Sequence, residues 1–453
     1  MIPMRINEQE LLTHGDRESK KIALEVFKEV LKSADPYNAV RNALKLEENK
    51  LTIMGKSFDI RGDVYVLAFG KAACPMAKAV EETLEDLLKE GLAITKYGYT
   101  APLKKVKVIE AGHPVPDENS LKGTIRGIEL MKKVRENDIV IVLISGGGSA
   151  LFTLPEDGIS LNDLIKTHEL LVKSGARIHE INVVRKHISK VKGGKLARMV
   201  KGTIIAMIIS DVVGDNLEVI ASGPTVSDPT TFKDAYEILK TYNLWKKLPE
   251  SVKRHIKLGL KGFVEETVKE DLPNVHNFLI AGNTIACEAA QKKAEELGFK
   301  AHILTTTLEG EAKDVGTSLG SIVEEIYKKG RPFKRPCILI AGGETTVTLK
   351  ENIGKGGPNQ ELALSIARKI KELSGVAVLA ADTDGTDGPT DAAGGLVDSY
   401  TAEILEKKGV NIERVLRKHN AYEALRNANA LLFTGPTRTN VNSIVIIVIK
   451  DSL

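Results

Sequence analysis

The run Ile139-Val-Ile-Val-Leu-Ile144, followed at once by Ser145-Gly-Gly-Gly-Ser149, constrains this chain more than any other stretch. Consecutive aliphatic residues predict a strand buried on both faces, as in a parallel sheet with helices on each side. Glycines then let the backbone turn tightly and come close to a ligand, and successive N–H groups in such a turn form an anion-binding concavity. Open α/β sheets bind ligands at the carboxyl ends of their strands. The bend at Ser145, Gly146, Gly147, Gly148 and Ser149 therefore reads as a phosphate cradle. A plain strand-to-helix turn competes with that reading, but such a turn rarely needs three glycines.

The same device recurs. Apolar strands run into Gly70-Lys71-Ala72, Ser210-Asp-Val-Val-Gly-Asp215, Gly282-Asn-Thr284, Gly342-Gly-Glu-Thr345 and Asp382-Thr-Asp-Gly-Thr-Asp387. The recurrence has no fixed period. It predicts an α/β protein of two domains: a Rossmann-like N-terminal domain with a parallel sheet and a C-terminal domain with a mixed sheet. The polar stretch 261–275, punctuated by Pro273, sets the expected junction, so that the domains span 1–262 and 275–453. Glu18 to Leu46 predicts two helices on the first sheet, and the alternation Thr346-Val-Thr-Leu349 predicts a hairpin.

Composition narrows the function. A net charge of +4 is too small to imply a nucleic-acid partner. No stretch reaches the roughly 18 apolar residues of a membrane span, and Met1 to Lys20 lacks the apolar segment of a signal peptide. The scattered Cys74, Cys287 and Cys337 exclude a disulfide framework and suit a reducing cytoplasm. Glutamine is confined to Gln9, Gln291 and Gln360 while Lys and Glu abound, which suggests a thermophile.

Several familiar devices are missing. None of the Gly-Lys pairs completes a P-loop, and Leu151 stands where a dinucleotide fingerprint would need its last glycine. There is no Gly-x-Ser-x-Gly elbow at the glycine-rich bend, and no His-Glu-x-x-His or Cys-x-x-Cys. Anion cradles, lysines at strand ends and carboxylates remain, and these are the parts phosphoryl transfer uses. Lys71, where a strand end meets a helix start, reads as a phosphate-binding or catalytic lysine. Asp211 and Asp215 suit Mg2+ or a general base, against a helix cap. Asp382, Asp384, Asp387 and Asp391 repel one another unless a cation or donors intervene. The basic run from Arg185 to Lys195 reads either as a solvated face or as an anion site at Gly193-Gly194. His113 sits in a stiff loop before Pro114, where a structural role is the commoner one.

Together Phe69-Gly-Lys-Ala-Ala73, Gly112-His-Pro-Val-Pro-Asp117, Ser145-Gly-Gly-Gly-Ser-Ala150, Ser210-Asp-Val-Val-Gly-Asp215, Ala221-Ser-Gly-Pro-Thr225, Gly342-Gly-Glu-Thr345, Gly356-Gly-Pro-Asn-Gln-Glu361 and Thr383-Asp-Gly-Thr-Asp-Gly388 resemble the class II glycerate kinases, which end in the MOFRL domain. The resemblance covers about residues 20–450. It implies ATP- and Mg2+-dependent phosphorylation of D-glycerate to 2-phosphoglycerate, with the active site in the cleft between two α/β domains. Archaeal members resembling this chain serve branched Entner–Doudoroff sugar breakdown. The resemblance implies essential roles for the lysine matching Lys71 and the aspartate matching Asp211. Beside these, the reading of the residues themselves expects Ser145 to Ser149, Asn283, Gly343 and Glu344 to bind the nucleotide. Arg185, Lys195 and His113 are expected at the substrate, and Asp215, Asp384 and Asp387 at the metal. The expected partners are glycerate and ATP, for a monomer or homodimer with no membrane contact. Pro358 departs from the arginine of many members, leaving Lys355 or Arg438 to substitute. The alternatives are a glycerate kinase acting on the 3-hydroxyl and a nicotinamide-dependent hydroxypyruvate reductase.

Overall fold

The computed structural model describes residues 6–349 and 354–451; the remaining positions, including the ends of both expected domains, lie outside it. The chain forms two compact units. One holds Pro36–Ser210 and Asn216–Ile280, and the other holds the described residues up to Asp35, Asp211–Asp215 and those from Ala281 onward. This partition is not contiguous, unlike the expected division into 1–262 and 275–453.

The N-terminal-sheet unit is built on β1 (Val64–Phe69), β2 (Leu88–Lys96), β3 (Val106–Ala111), β4 (Ile139–Ile144), β5 (Thr203–Ile209) and β6 (Val275–Ala281), in the order β3-β2-β1-β4-β5-β6. Every residue of β1 and β4 is buried, as their aliphatic runs predict. The pairs β3-β2, β2-β1, β1-β4 and β4-β5 are parallel. Register places the site. Val64 pairs with Ile139 and Phe69 with Ile144, so both strands end together and Gly70 emerges beside Ser145. Helices Leu161–Lys173, Ile178–His187, Phe232–Thr241 and Glu250–Leu260 share a separate apolar cluster around Leu164, Val184, Phe232 and Ile256.

The C-terminal-sheet unit carries β7 (Lys300–Leu308), β8 (Cys337–Gly343), β9 (Val376–Asp382), β10 (Gly394–Asp398), β11 (Leu431–Leu432) and β12 (Ser443–Ile449), ordered β7-β8-β12-β9-β10-β11. Only β7 and β8 pair in parallel. The sheet is therefore mixed, as expected. Gly343 and Asp382 both pair with Ser443, which gathers Glu344, Asp382 and Asn442 at one end of the sheet.

Helix Arg17–Ala34 belongs to this second unit, where it contacts β9, β12 and helix Asn283–Glu296. The sequence reading placed it on the first sheet. Its buried Leu24, Phe27, Val30 and Leu31 identify an amphipathic face, but the spacing does not say which sheet receives it. Tethers within the unit show what does. Lys20 Nζ lies 3.3 Å from Asp398 Oδ2, both side chains fully buried, and Asp16 N donates to the same carboxylate at 2.8 Å. Among the described residues Thr346–Leu349 does not form the expected hairpin: Thr346 makes an isolated parallel bridge with Glu311, and residues 350–353 lie outside the described ones.

Candidate active site

In the N-terminal-sheet unit, the end of β1 and the glycine-rich bend are locked together. Lys71 N donates to Gly146 O at 2.8 Å, and Ala72 N donates to Ser145 Oγ at 3.0 Å. Gly70 has φ +121°, and a Cβ there would lie 2.2 Å from Ser145 Oγ. Gly147 has φ +81°, and its Cβ would lie 2.9 Å from His113 Cδ2 and 3.3 Å from Lys71 Cγ. Glycine is therefore required at both positions, and Gly147, Lys71 and His113 are neighbours. The amides of Gly146 and Gly147 find no protein acceptor among the described residues. Lys71 Nζ likewise forms no hydrogen bond or ion pair there, although the residue is half-buried. Two open N–H groups beside an uncommitted ammonium make an anion site.

The bend is braced from behind. Ser149 Oγ lies 3.0 Å from Ser222 Oγ, which donates to Asn182 Oδ1 at 3.0 Å. Ala221, Ser222 and Gly223 all have positive φ, and Ala221 and Ser222 are side-chain-bearing residues in a strained conformation. Gly193 N and Gly194 N donate to the carbonyls of Ser222 and Gly223, which interlocks that loop with the double-glycine turn. Asn182 and Ser222 carry this bracing; Ser222 lies in the Ala221–Thr225 motif, whereas nothing local singles out Asn182.

Burial and then the charges of Lys71 and Lys96 push the His113 imidazole down to about 4. His113 thus stays neutral at neutral pH and adds no charge to the cradle. The unfolded imidazole takes up its proton near 6.5, whereas the folded one resists until about 4. Stability should therefore be lost as pH falls across that window. His113→Asn is expected to flatten this part of the slope, and paired melting curves between pH 4 and 7 check it. A wild-type-minus-variant difference that does not move with pH would remove His113 as its source.

The basic run is not a solvated face. Lys186 pairs with buried Asp228 at 3.2 Å, and His187 Nε2 lies 3.0 Å from Glu266. Lys195 is 4% exposed, donates to Glu156 at 2.6 Å and to Ser189 O at 2.7 Å, and so holds its own turn. Its charge is paired inside the protein, away from the substrate role expected of it. Arg185, in contrast, has no partner for its buried Nε.

The C-terminal-sheet unit gathers the acids. Asn442 Nδ2 donates to Asp211 O at 3.1 Å and to Glu344 Oε2 at 3.4 Å. Glu344, next to Gly343 at the end of β8, is pushed up by burial and then by the charges of Asp211, Glu309 and Asp384. Asp382 is pushed up to about 7 by burial and then by Asp384. These shifts record carboxylates crowded enough to repel.

The expected metal residues differ in how far they are committed. Asp387 accepts from Asn359 N, Asn359 Nδ2 and Gln360 N at 2.9–3.1 Å, so it caps helix Pro358–Lys369 against the upward push of burial, to about 6. Asp215 Oδ2 accepts from Thr284 N at 3.3 Å, while Oδ1 is buried without a partner. Asp384 spends one oxygen on Thr386 and keeps the other. Among the described residues no three His, Cys, Asp or Glu side chains group as a metal site. Asn283, expected at the nucleotide, is 1% exposed and donates to the carbonyls of Val441 and Ser443, bracing β12. Lys355 lies 3.8 Å from the Tyr422 ring and from Asp391, and Arg438 is exposed.

A family model described as "Domain of unknown function (DUF4147)" matches residues 22–257, and the MOFRL family model matches 337–443. The chain is 63% identical to the glycerate 2-kinase of Pyrococcus horikoshii, over 95% of this chain and 98% of that one. It is 45% identical to the D-glycerate 2-kinase of Thermotoga maritima, over 94% and 97% respectively. The crystal structure of the glycerate kinase of Thermotoga maritima superposes with a TM-score of 0.85 at 44% identity, covering 95% of this chain and 99% of that chain.

Proposed function

The chain belongs to the class II glycerate kinase family with its MOFRL region, and from that membership we propose that it transfers the terminal phosphoryl group of ATP to the 2-hydroxyl of D-glycerate, giving 2-phosphoglycerate. The observation that carries the reading is the uncommitted Lys71 beside the open amides of Gly146 and Gly147. A triphosphate supplies the anions such a cradle lacks. The amides of the bend hold phosphate oxygens, and Lys71 neutralises charge on the phosphoryl group in transit. His113, neutral at the edge of the cradle, orients without adding charge. Asp211 accepts the hydroxyl proton of glycerate or joins in holding the metal.

The acids of the C-terminal-sheet unit fit a divalent cation. Mg2+ takes one or two protein carboxylates and completes its shell with phosphate and water. Glu344, raised by burial and then by Asp211, Glu309 and Asp384, is assigned to it with Asp384, alongside the expected Asp215, whose Oδ1 has no partner; Asp387 is held by Asn359 and Gln360 instead. When bound, Mg2+ would neutralise charge on the nucleotide's phosphates.

Incubation with ATP, Mg2+ and D-glycerate tests the reading. Coupling to enolase alone should give signal without added phosphoglycerate mutase. Signal only with the mutase would assign the 3-hydroxyl, and oxidation of NADH by hydroxypyruvate would favour a reductase. The three cysteines are buried and unpaired, and among the described residues no helix is long and apolar enough to cross a membrane. The free cysteines support a reducing compartment such as the cytoplasm, and the scarce glutamines a heat-adapted source.

A further inference from the structure

The N-terminal-sheet unit holds three basic residues that share no acid: buried Lys192, and half-buried Arg185 and His168. Arg185 Nε on helix Ile178–His187 and His168 Nε2 on helix Leu161–Lys173 are both buried without a hydrogen-bond partner. Lys192 is 1% exposed and donates only to carbonyls, those of Ser149 at 2.9 Å and Phe152 at 3.4 Å. The three feel one another. His168 is lowered by burial and then by Arg185 and Lys192, and Lys192 is pushed down to about 7 by burial and then by Arg185.

The contrast lies within the same basic run. Lys186, His187 and Lys195 each face a carboxylate, so this interior can supply acids where it needs them. A guanidinium cannot shed its proton, and leaving its Nε–H buried without an acceptor is costly. A fold retains that arrangement when a ligand brings the missing charge. The cluster also adjoins the cradle. Lys192 holds the Ser149 carbonyl, and Asn182, one turn before Arg185, holds Ser222 against Ser149.

We propose that Arg185, Lys192 and His168 form an anion subsite beside the Ser145–Ser149 bend, that it receives the carboxylate of the acceptor, and that it thereby restricts the enzyme to hydroxy acids over neutral polyols. The identity of the acceptor rests on the function proposed above. The planar guanidinium suits a carboxylate through paired N–H donors, and Lys192 ties that charge to the bend. A phosphate oxygen of the donor has related chemistry, so the test separates the two.

Calorimetric titration of wild type, Arg185→Met, Arg185→Lys and Lys192→Met with D-glycerate, glycerol, inorganic phosphate and ATP reads binding without turnover. Wild type should bind glycerate and ignore glycerol. Arg185→Met should weaken glycerate roughly 10- to 100-fold, with Arg185→Lys in between, and ATP should stay within about twofold. Without ligand, Arg185→Met should melt no lower than wild type, since it removes a buried N–H that has no acceptor. A structural arginine would show the reverse, with a lower melting temperature restored by lysine, and that result overturns the proposal. So does unchanged glycerate affinity in both Arg185→Met and Lys192→Met, or loss of ATP and phosphate affinity with glycerate retained. If wild type phosphorylates no glycerate, binding of lactate or malonate that Arg185→Met abolishes still upholds an anion subsite, and only the proposed function fails.

Discussion

Lys71→Ala is expected to lower kcat by about 10²- to 10³-fold, the usual cost of removing one donor that meets charge developing in the transition state. The fold should be unaffected. Lys71 Nζ has no protein partner, and the packing that sets the turn runs through its backbone N–H to Gly146 O. Melting temperature should therefore stay near that of wild type, as for a surface substitution. Because the ammonium acts chiefly on the phosphoryl group in transit, KM for glycerate should change little. Steady-state kinetics beside a melting curve check both statements. Near-wild-type turnover in a folded Lys71→Ala enzyme would remove this lysine from the reaction, and the cradle would then be a nucleotide-binding element alone.

Breaking the Lys20–Asp398 pair should have the largest effect on stability. Both side chains are fully buried, and Asp398 also accepts from Asp16 N, Tyr400 N and Thr401 Oγ1 at 2.8–3.0 Å. Lys20 also donates to the carbonyls of Leu11 and His14. Asp398→Ala leaves a buried ammonium and three donors without their acceptor, at a cost of about 3–5 kcal/mol. Lys20→Met should cost less, because the carboxylate keeps its backbone and hydroxyl donors. The double variant should be less destabilised than the sum of the two, since the second change no longer strands a charge. Denaturant melts of the four proteins measure this. Strict additivity would mean the pair is not coupled. Hydrogen exchange should show residues 6–35 opening first in Asp398→Ala, because this pair anchors them within their unit.

The strands and their glycine turns were legible because both signals are local. An aliphatic run needs two covered faces wherever it sits, and Gly70 and Gly147 occupy conformations closed to other residues. Lys71 was legible for the same reason: a strand end followed by a glycine and a lysine places the ammonium beside the next bend. The crowding of Glu344, Asp382 and Asp384 follows from clustered acidic turns together with antiparallel register at Ser443.

Other assignments turned on partners far along the chain. Lys195 is held by Glu156, and Asp387 accepts from Asn359 and Gln360, partners that no local spacing announces. Asn283 resembled a nucleotide contact but braces β12. Local spacing carries periodicity, turn chemistry and the supply of charge, which is why it specified two α/β sheets ending in anion-receptive bends. Whether a given charge is free for a ligand depends on which opposite charge folding brings within a few ångströms. That pairing left Arg185 and Lys71 open, enclosed Lys195 and Asp387, and drew helix Arg17–Ala34 to the second sheet, because Coulomb energy and burial act through space rather than along the chain.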